Sequence, residues 1–510
     1  MTFFESLLVL VGVAVALLQV SRRLAIPYPT MLAAAGVLLA LVPGAPTIRL
    51  EPHMALALFI APALTDAAFD FPLNKIRRLW RPLFAMAVVA VALSAGAVAW
   101  LGVVWAGLPL YAAIALGAIV APPDAAAATA ILGSVRMPRR TVAVLKGESL
   151  LNDATALLLF TAAVSFHDAE LTGAQLALEL GLAAPGGVIL GIALARLYRL
   201  ITPYVTGTLG GNLLEFVTCF GVWVVAERLH LSAVLCLVAF AITIARHANV
   251  HTPPRARIHS FATWDTAVFL LNVLAFLLMG FQARVIVGGM SHERLTQAAW
   301  FATAVVACLI VVRLAWTLLY NRLEQRFVWP RGDIEAATLP QGVLTGWCGM
   351  RGLVTLATAF ALPASFPQRD LIVLTAFAVV LATLVLQGLT LGPLVRLLGL
   401  AGEDGLGDEL ARLRADMASA ALGTLEGRHD AVADHWRFAY EATKAAEHDD
   451  ALLCEKRAVG LEAIRRERAR LQELRRDEAV GPDAYLILQE ELDFAEVAVT
   501  SENERKIEEG

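Results

Sequence analysis

Two apolar stretches of this chain each carry acids where a hydrocarbon environment would penalise them: GAIVAPPDAAAATAIL (117–132) and LKGESLLNDATALLLF (145–160). A carboxylate at bilayer depth costs several kcal/mol, from roughly 3 to above 10. In the first stretch Asp124 follows Pro122 and Pro123, which remove backbone donors and break a helix. Glu148, Ser149, Asn152 and Asp153 crowd the second. Oxygen ligands beside a broken helix inside a membrane point to a cation pathway.

The membrane premise rests on composition. Of 510 residues, 58% are hydrophobic and 17% charged, which exceeds what a soluble core needs. Apolar runs long enough to cross about 30 Å of hydrocarbon fall near 3–20, 29–43, 53–70, 83–105, 109–132, 141–165, 173–197, 211–228, 230–246, 263–282, 296–320, 341–363 and 371–397. The expectation is an all-α polytopic protein of about thirteen spans. The first run begins FFES without a basic leader and lacks a small-residue cleavage site, so it reads as a span rather than a signal peptide.

Basic residues test that count. With the N-terminus outside, the inside loops hold Arg22 and Arg23, then Lys75, Arg77, Arg78 and Arg81, then Arg136, Arg139, Arg140 and Lys146, with further arginines at 196, 199, 246, 255, 257, 322, 326 and 331. The outside loops hold only Arg49, Arg228, Arg284, Arg294 and Arg369. This asymmetry places the C-terminal tail in the cytoplasm of a cell-membrane protein. Residues 1–400 hold about 18 acids and 26 bases, residues 401–510 about 27 and 15. The division expected is a membrane domain over 1–400 and an acidic helical tail over 401–510, the latter with a hairpin or coiled-coil-like pair from 451–478 and 485–499.

On an ideal helix Glu148 and Asn152, and Ser149 and Asp153, stand at i and i+4, so four oxygen-bearing side chains share one sector. A polar packing face explains Ser149 and Asn152 but not two acids. Behind Pro122 and Pro123, carbonyls near Gly117 to Val120 should lose their partners. A third constellation, GWCGMRGLVTLATAF (346–360), puts Arg351 in an apolar run interrupted by Gly346, Gly349 and Gly352. Transporters built from inverted repeats carry such a broken helix in each half; here spans 1–6 and 8–13 would be the repeats and span 7 the linker. Arg351 needs a counter-ion, and Glu148 is the expected one, leaving Asp124 and Asp153 for the ion. Asp66 and Asp70 either line the cytoplasmic end of the third span or snorkel toward the loop, Glu215, Asp265 and Arg313 read as structural groups near span ends, the ten histidines as mostly loop and tail residues, and the five cysteines as small core residues.

The motifs GAIVAPPDA, GESLLNDA and GMRG, in this order and on these spans, resemble the monovalent cation:proton antiporter-1 family, which includes NhaP-type antiporters and eukaryotic sodium/proton exchangers. The resemblance covers about residues 5–400. It implies the NhaA/NhaP-like fold, with two inverted repeats and crossed broken helices, assembled as a homodimer. It also implies Asp124, Asp153 and Ser149 as the sodium and proton ligands, Asn152, Glu148 and Arg351 as supporting residues, and helix breaks at Pro122, Pro123, Gly349 and Gly352. Many relatives read Thr-Asp-Pro where this chain has Pro123-Asp124-Ala125, so no side-chain hydroxyl stands at 123.

The function expected is antiport of cytoplasmic sodium, or lithium, against external protons by alternating access, electroneutral and serving pH and sodium homeostasis. Potassium/proton exchange is the alternative within the class, and a cation channel the alternative outside it. Apart from the transported ions and the bilayer, no cofactor or nucleic-acid partner is implied. A membrane enzyme is disfavoured, since the chain shows no metal-ligand histidine motif, nucleophile elbow or phosphate-binding glycine loop.

Overall fold

The structure, a computed structural model, describes residues 12–13, 15–17, 19–20, 31–32, 52–69, 71, 73–124, 139–168, 173–205, 208–251, 254–326, 337–400, 405–445, 450–477 and 479–500. The two N-terminal apolar runs therefore fall largely outside the described residues, as do Asp70 and the second half of the fifth run. Among the described residues every regular element is a helix. The chain separates into two compact units, residues 1–401 and 402–509.

In the first unit, helix α1 (Pro52–Phe69) is followed by short helical pieces over 73–84 and a π-helical turn, Ala85–Ala90, that runs straight into α2 (Val91–Ala106). Gly107, in the left-handed region at φ 62°, ends α2, where a side chain would strain the backbone. Then come α3 (Leu110–Val120), α4 (Arg139–Asp168), α5 (Gly173–Ile201), α6 (Leu209–Arg228), α7 (Ala233–His251), α8 (Pro254–Gly289) and α9 (His292–Arg326). Two half-length helices, α10 (Leu339–Trp347) and α11 (Leu353–Phe360), precede α12 (Arg369–Leu397). Six helices are long and apolar enough to cross a membrane among the described residues, with shorter apolar helices at Leu56–Phe69, Leu110–Val120 and Ala233–Arg246.

Packing sorts these helices into two groups. α5 lies against α7, and α6 and α7 against α1. The other group joins α2 to α3, α3 to α4, and α9 to α2, α10 and α12. α8 touches both, through α1 and α12, and α11 lies at the boundary between them, packing on α1 as well as on α3 and α12. Proline and capping set where the half-helices begin and end. Pro122 and Pro123 stop α3, while Thr338 and Gln341 close a reciprocal capping box at the start of α10.

The second unit contains α13 (Gly405–Gly423), α14 (Ala431–Ala445), α15 (Asp450–Arg476) and α16 (Pro482–Val499). α13 packs on α14, and α15 on α16. Gly481 and Pro482 make the turn between the last two, with proline in the first helical turn, where its missing N–H costs nothing. Arg468 bridges them through Asp493 at 2.7 Å and Glu496 at 2.5 Å, and the Arg475 guanidinium stands 4.3 Å from the Tyr485 ring centroid.

Candidate functional site: two broken helices crossing beside an acid-bearing helix

The two interrupted stretches meet. In an unbroken helix the amide of Asp124 would bond the carbonyl of Val120; instead it donates to Met350 O at 2.7 Å. Pro122 and Pro123 have no N–H to offer Ala118 and Ile119. Val120 O is thereby released, and Arg351 Nε donates to it at 3.0 Å. Of the carbonyls expected to be orphaned, Gly117 O keeps an ordinary helical partner in Ala121 N. The break thus starts at Ala118, the carbonyl four residues before Pro122, one residue later than expected, and a side chain takes up part of what it frees.

Asp124 is half-buried and its carboxylate accepts from Leu353 N at 3.2 Å, at the first residue of α11. An acid there meets the unpaired amides and positive dipole end of the half-helix. Gly352 is required by this approach, since a Cβ at that position would lie 1.8 Å from Asp124 Oδ2. Gly349 makes comparable room, because a Cβ there would sit 2.6 Å from Cδ of Arg313. The glycines of GMRG therefore serve close packing of the crossing.

α4 supplies the remaining groups. Asn152, fully buried, donates from Nδ2 to Pro123 O at 2.7 Å, tying α4 to the first break. Asp153 is 5% exposed and near enough to Asp124 for their charges to interact. Ser149 lies one turn before Asp153 and is half-buried. The crossing therefore brings together Asp124, Asn152, Asp153 and Arg351, on three separate pieces of chain, with Ser149 one helical turn before Asp153 on α4.

The ion pair differs from the expected one. Glu148 is held by Arg313, bidentately at 2.5 and 2.9 Å, with exposures of 1% and 3%. Arg313 was expected to be structural near a span end, yet it stands in the middle of α9, which packs against α10. The Arg351 guanidinium instead donates to backbone, Nε to Val120 O and Nη1 to Gly349 O, while its main-chain amide donates to the Thr383 hydroxyl Oγ1 at 3.1 Å. The physical reason is local. A guanidinium within a break is surrounded by freed carbonyls and bonds those, whereas Arg313, on an intact helix, reaches across to the Glu148 carboxylate and adds one longer donation to Thr345 O at 3.3 Å. The signal that could have found Arg313 is the run ACLIVVRLAWTLLY, an arginine without any acid on its own span.

Two other acids are accounted for structurally. Glu215 on α6 accepts from Ser260 Oγ at 2.6 Å and Trp264 Nε1 at 2.8 Å, while Phe216 stacks on Trp264, so this cluster fastens α6 to α8. Glu324, at the end of α9, pairs at 2.5 Å with Arg140, at the start of α4.

Residues 8–397 match the family described as "Sodium/hydrogen exchanger, transmembrane". The chain is 30% identical over 411 residues to an uncharacterized Na+/H+ exchanger of Mycobacterium tuberculosis, covering 78% of this chain and 75% of that one. It is 28% identical over 519 residues to the sodium, potassium, lithium and rubidium/H+ antiporter of Bacillus pumilus, covering 94% and 75%. Its fold is similar to that of the sodium/proton antiporter MjNhaP1 from Methanocaldococcus jannaschii, with a TM-score of 0.60 at 15% identity, over 79% of this chain and 100% of that one. Apolar helices packed around crossed helix breaks define the class, a multi-pass membrane transporter. The chain belongs to the sodium/hydrogen exchanger family.

Proposed function

We propose that the protein exchanges cytoplasmic sodium, or lithium, for external protons by alternating access, in the service of pH and sodium homeostasis. The observation that carries this reading is the meeting of Asp124 and Asp153 at the crossing, two carboxylates on separate elements, one at a helix break and one buried in α4. Oxygen ligands suit a hard cation, and a carboxylate can hold a metal ion or a proton in turn. Asp124, Asp153 and Ser149 are the proposed ligands. Asn152 positions the Pro123 carbonyl, and Glu148 with Arg313 braces α4 against α9. Arg351 holds the two breaks together.

Charge balance favours one-for-one exchange. Glu148 and Arg313 neutralise each other, leaving Arg351 as fixed positive charge against two ionised aspartates. That remainder is one negative charge, which one sodium ion or one proton cancels. Apparent sodium affinity should then weaken as pH falls, because both ions compete for the same oxygens. The group α2–α4 with α9–α12 would carry the site past α1 and α5–α7, in a homodimer with its tail in the cytoplasm.

Proteoliposomes given an imposed proton gradient test the assignment. Uphill sodium movement is the expected result, whereas cation flux that only runs downhill would establish a channel. Potassium exchange is the second reading, favoured by the absence of a hydroxyl at Pro123. Repeating the assay with lithium, potassium and rubidium ranks the cations. A steady-state rate that changes with imposed voltage would overturn the electroneutral cycle.

A further inference from the structure

A half-open cavity of about 1200 Å³ lies far from the ion pair of Arg140 and Glu324. Its walls come from the end of α2 (Trp105), the start of α9 (Arg294, Gln297, Trp300) and the residues leading into α12 (Gln368, Arg369). α9 is 35 residues long, so its two ends stand about 50 Å apart at 1.5 Å per residue. The cavity is at one end, and Glu324, among the basic residues Arg322 and Arg326, is at the other. In the orientation proposed above, the cavity faces the outer leaflet.

Its charge is placed against the usual preference. Arg294 and Arg369 sit in the first turns of α9 and α12, each next to an acid of the same turn (Glu293 and Asp370), at the positive ends of the helix dipoles, where cations are disfavoured. An anion between them would reverse that penalty, meeting two guanidinium groups and two helix N-termini. Arg369 Nε already donates to Leu362 O at 3.0 Å, which fixes the guanidinium while using one of its five N–H donors. Asp370 is the one acid in the lining. Trp105 and Trp300 are 62% and 68% exposed, as residues of the membrane–water boundary are. The volume exceeds that of ordinary small-molecule pockets, about 300–1,000 Å³, and inorganic phosphate would leave most of it unfilled.

We infer that this cavity binds the headgroup of an anionic phospholipid of the outer leaflet, with Arg294 and Arg369 on the phosphate and Trp105 and Trp300 beside the first acyl carbons. The lipid would bridge α2, α9 and α12, all within the group that carries the crossing. The inference is independent of which cation is transported.

The test is lipid retention by the purified full-length protein, read by native mass spectrometry, with phosphatidylglycerol and phosphatidylcholine of equal chain length. Phosphatidylglycerol should be kept about fivefold or more in preference, following the strength of a single arginine–lipid contact. Arg294→Gln should remove roughly that fivefold preference, and Arg294→Lys should keep most of it. Arg294 is exposed, so both variants should fold; Arg228→Gln, on another exposed arginine, serves as the control and should change nothing. Equal retention of the two lipids, unchanged preference in Arg294→Gln, or the same loss in Arg228→Gln would overturn the inference. Displacement of phosphatidylglycerol by millimolar inorganic phosphate would likewise overturn it, by showing a free-anion site.

Discussion

The same ionic chemistry appears in two settings here. Glu148 and Arg313 are 1% and 3% exposed, while Arg468 with Asp493 and Glu496 in the tail unit is 29%, 53% and 40% exposed. Distances barely differ, yet the energetic meaning does. A buried pair costs more to desolvate than it returns unless its geometry is good, and removing one partner strands a charge. An exposed pair is screened by water and salt and contributes little. The lesson is that α4 and α9 are committed to one arrangement, whereas the Arg468 pairs add little to the joining of α15 and α16.

The largest effect expected is on transport. Asp153→Asn keeps shape and hydrogen-bonding capacity but cannot neutralise sodium or release a proton, so exchange in proteoliposomes should fall to background in a folded protein. Robust exchange would remove Asp153 from the site. Next comes the buried pair: Glu148→Gln and Arg313→Gln should each cost about 3–5 kcal/mol, read as a lowered thermal midpoint in detergent. The double variant should lose less than the sum, and this coupling should exceed that between Glu148 and Arg351. The reverse ranking would return Arg351 as the partner.

Gly352→Ala probes the crossing itself. The added methyl would meet Asp124 Oδ2, so the cost should be about 1–3 kcal/mol, with loss of exchange. Wild-type activity in this variant would mean that the two breaks do not approach as described. In the tail, Arg468→Gln should change stability by roughly 1 kcal/mol or less, and less again in high salt. An effect as large as that at Arg313 would undo the comparison.

The smallest effect belongs to Asp430, at the start of α14. The backbone amide of Ala433 and the Arg428 guanidinium hold its carboxyl below the usual aspartate value. Because the folded value is the lower one, its contribution is complete above the ordinary aspartate range and is lost as pH falls through the folded value. Protection of the Ala433 amide, measured against its intrinsic exchange rate at each pH, should therefore fall only in acid, and Asp430→Ala should remove that pH dependence.

The sequence by itself determined the membrane unit, the position of each helix break and the sharing of one face by Glu148, Ser149, Asn152 and Asp153. Those properties are local: proline lacks an amide, glycine lacks a Cβ, and i, i+4 spacing fixes azimuth whatever surrounds the helix. Only the tertiary structure decided which arginine meets Glu148. Two arginines lay in apolar runs, and the correct one stands 165 residues away on a helix that the sequence does not orient. It also decided that the carbonyl of Val120, freed by the prolines, is taken up by Arg351. Partner choice between distant elements depends on how helices pack, and packing is set by contacts that no single segment contains.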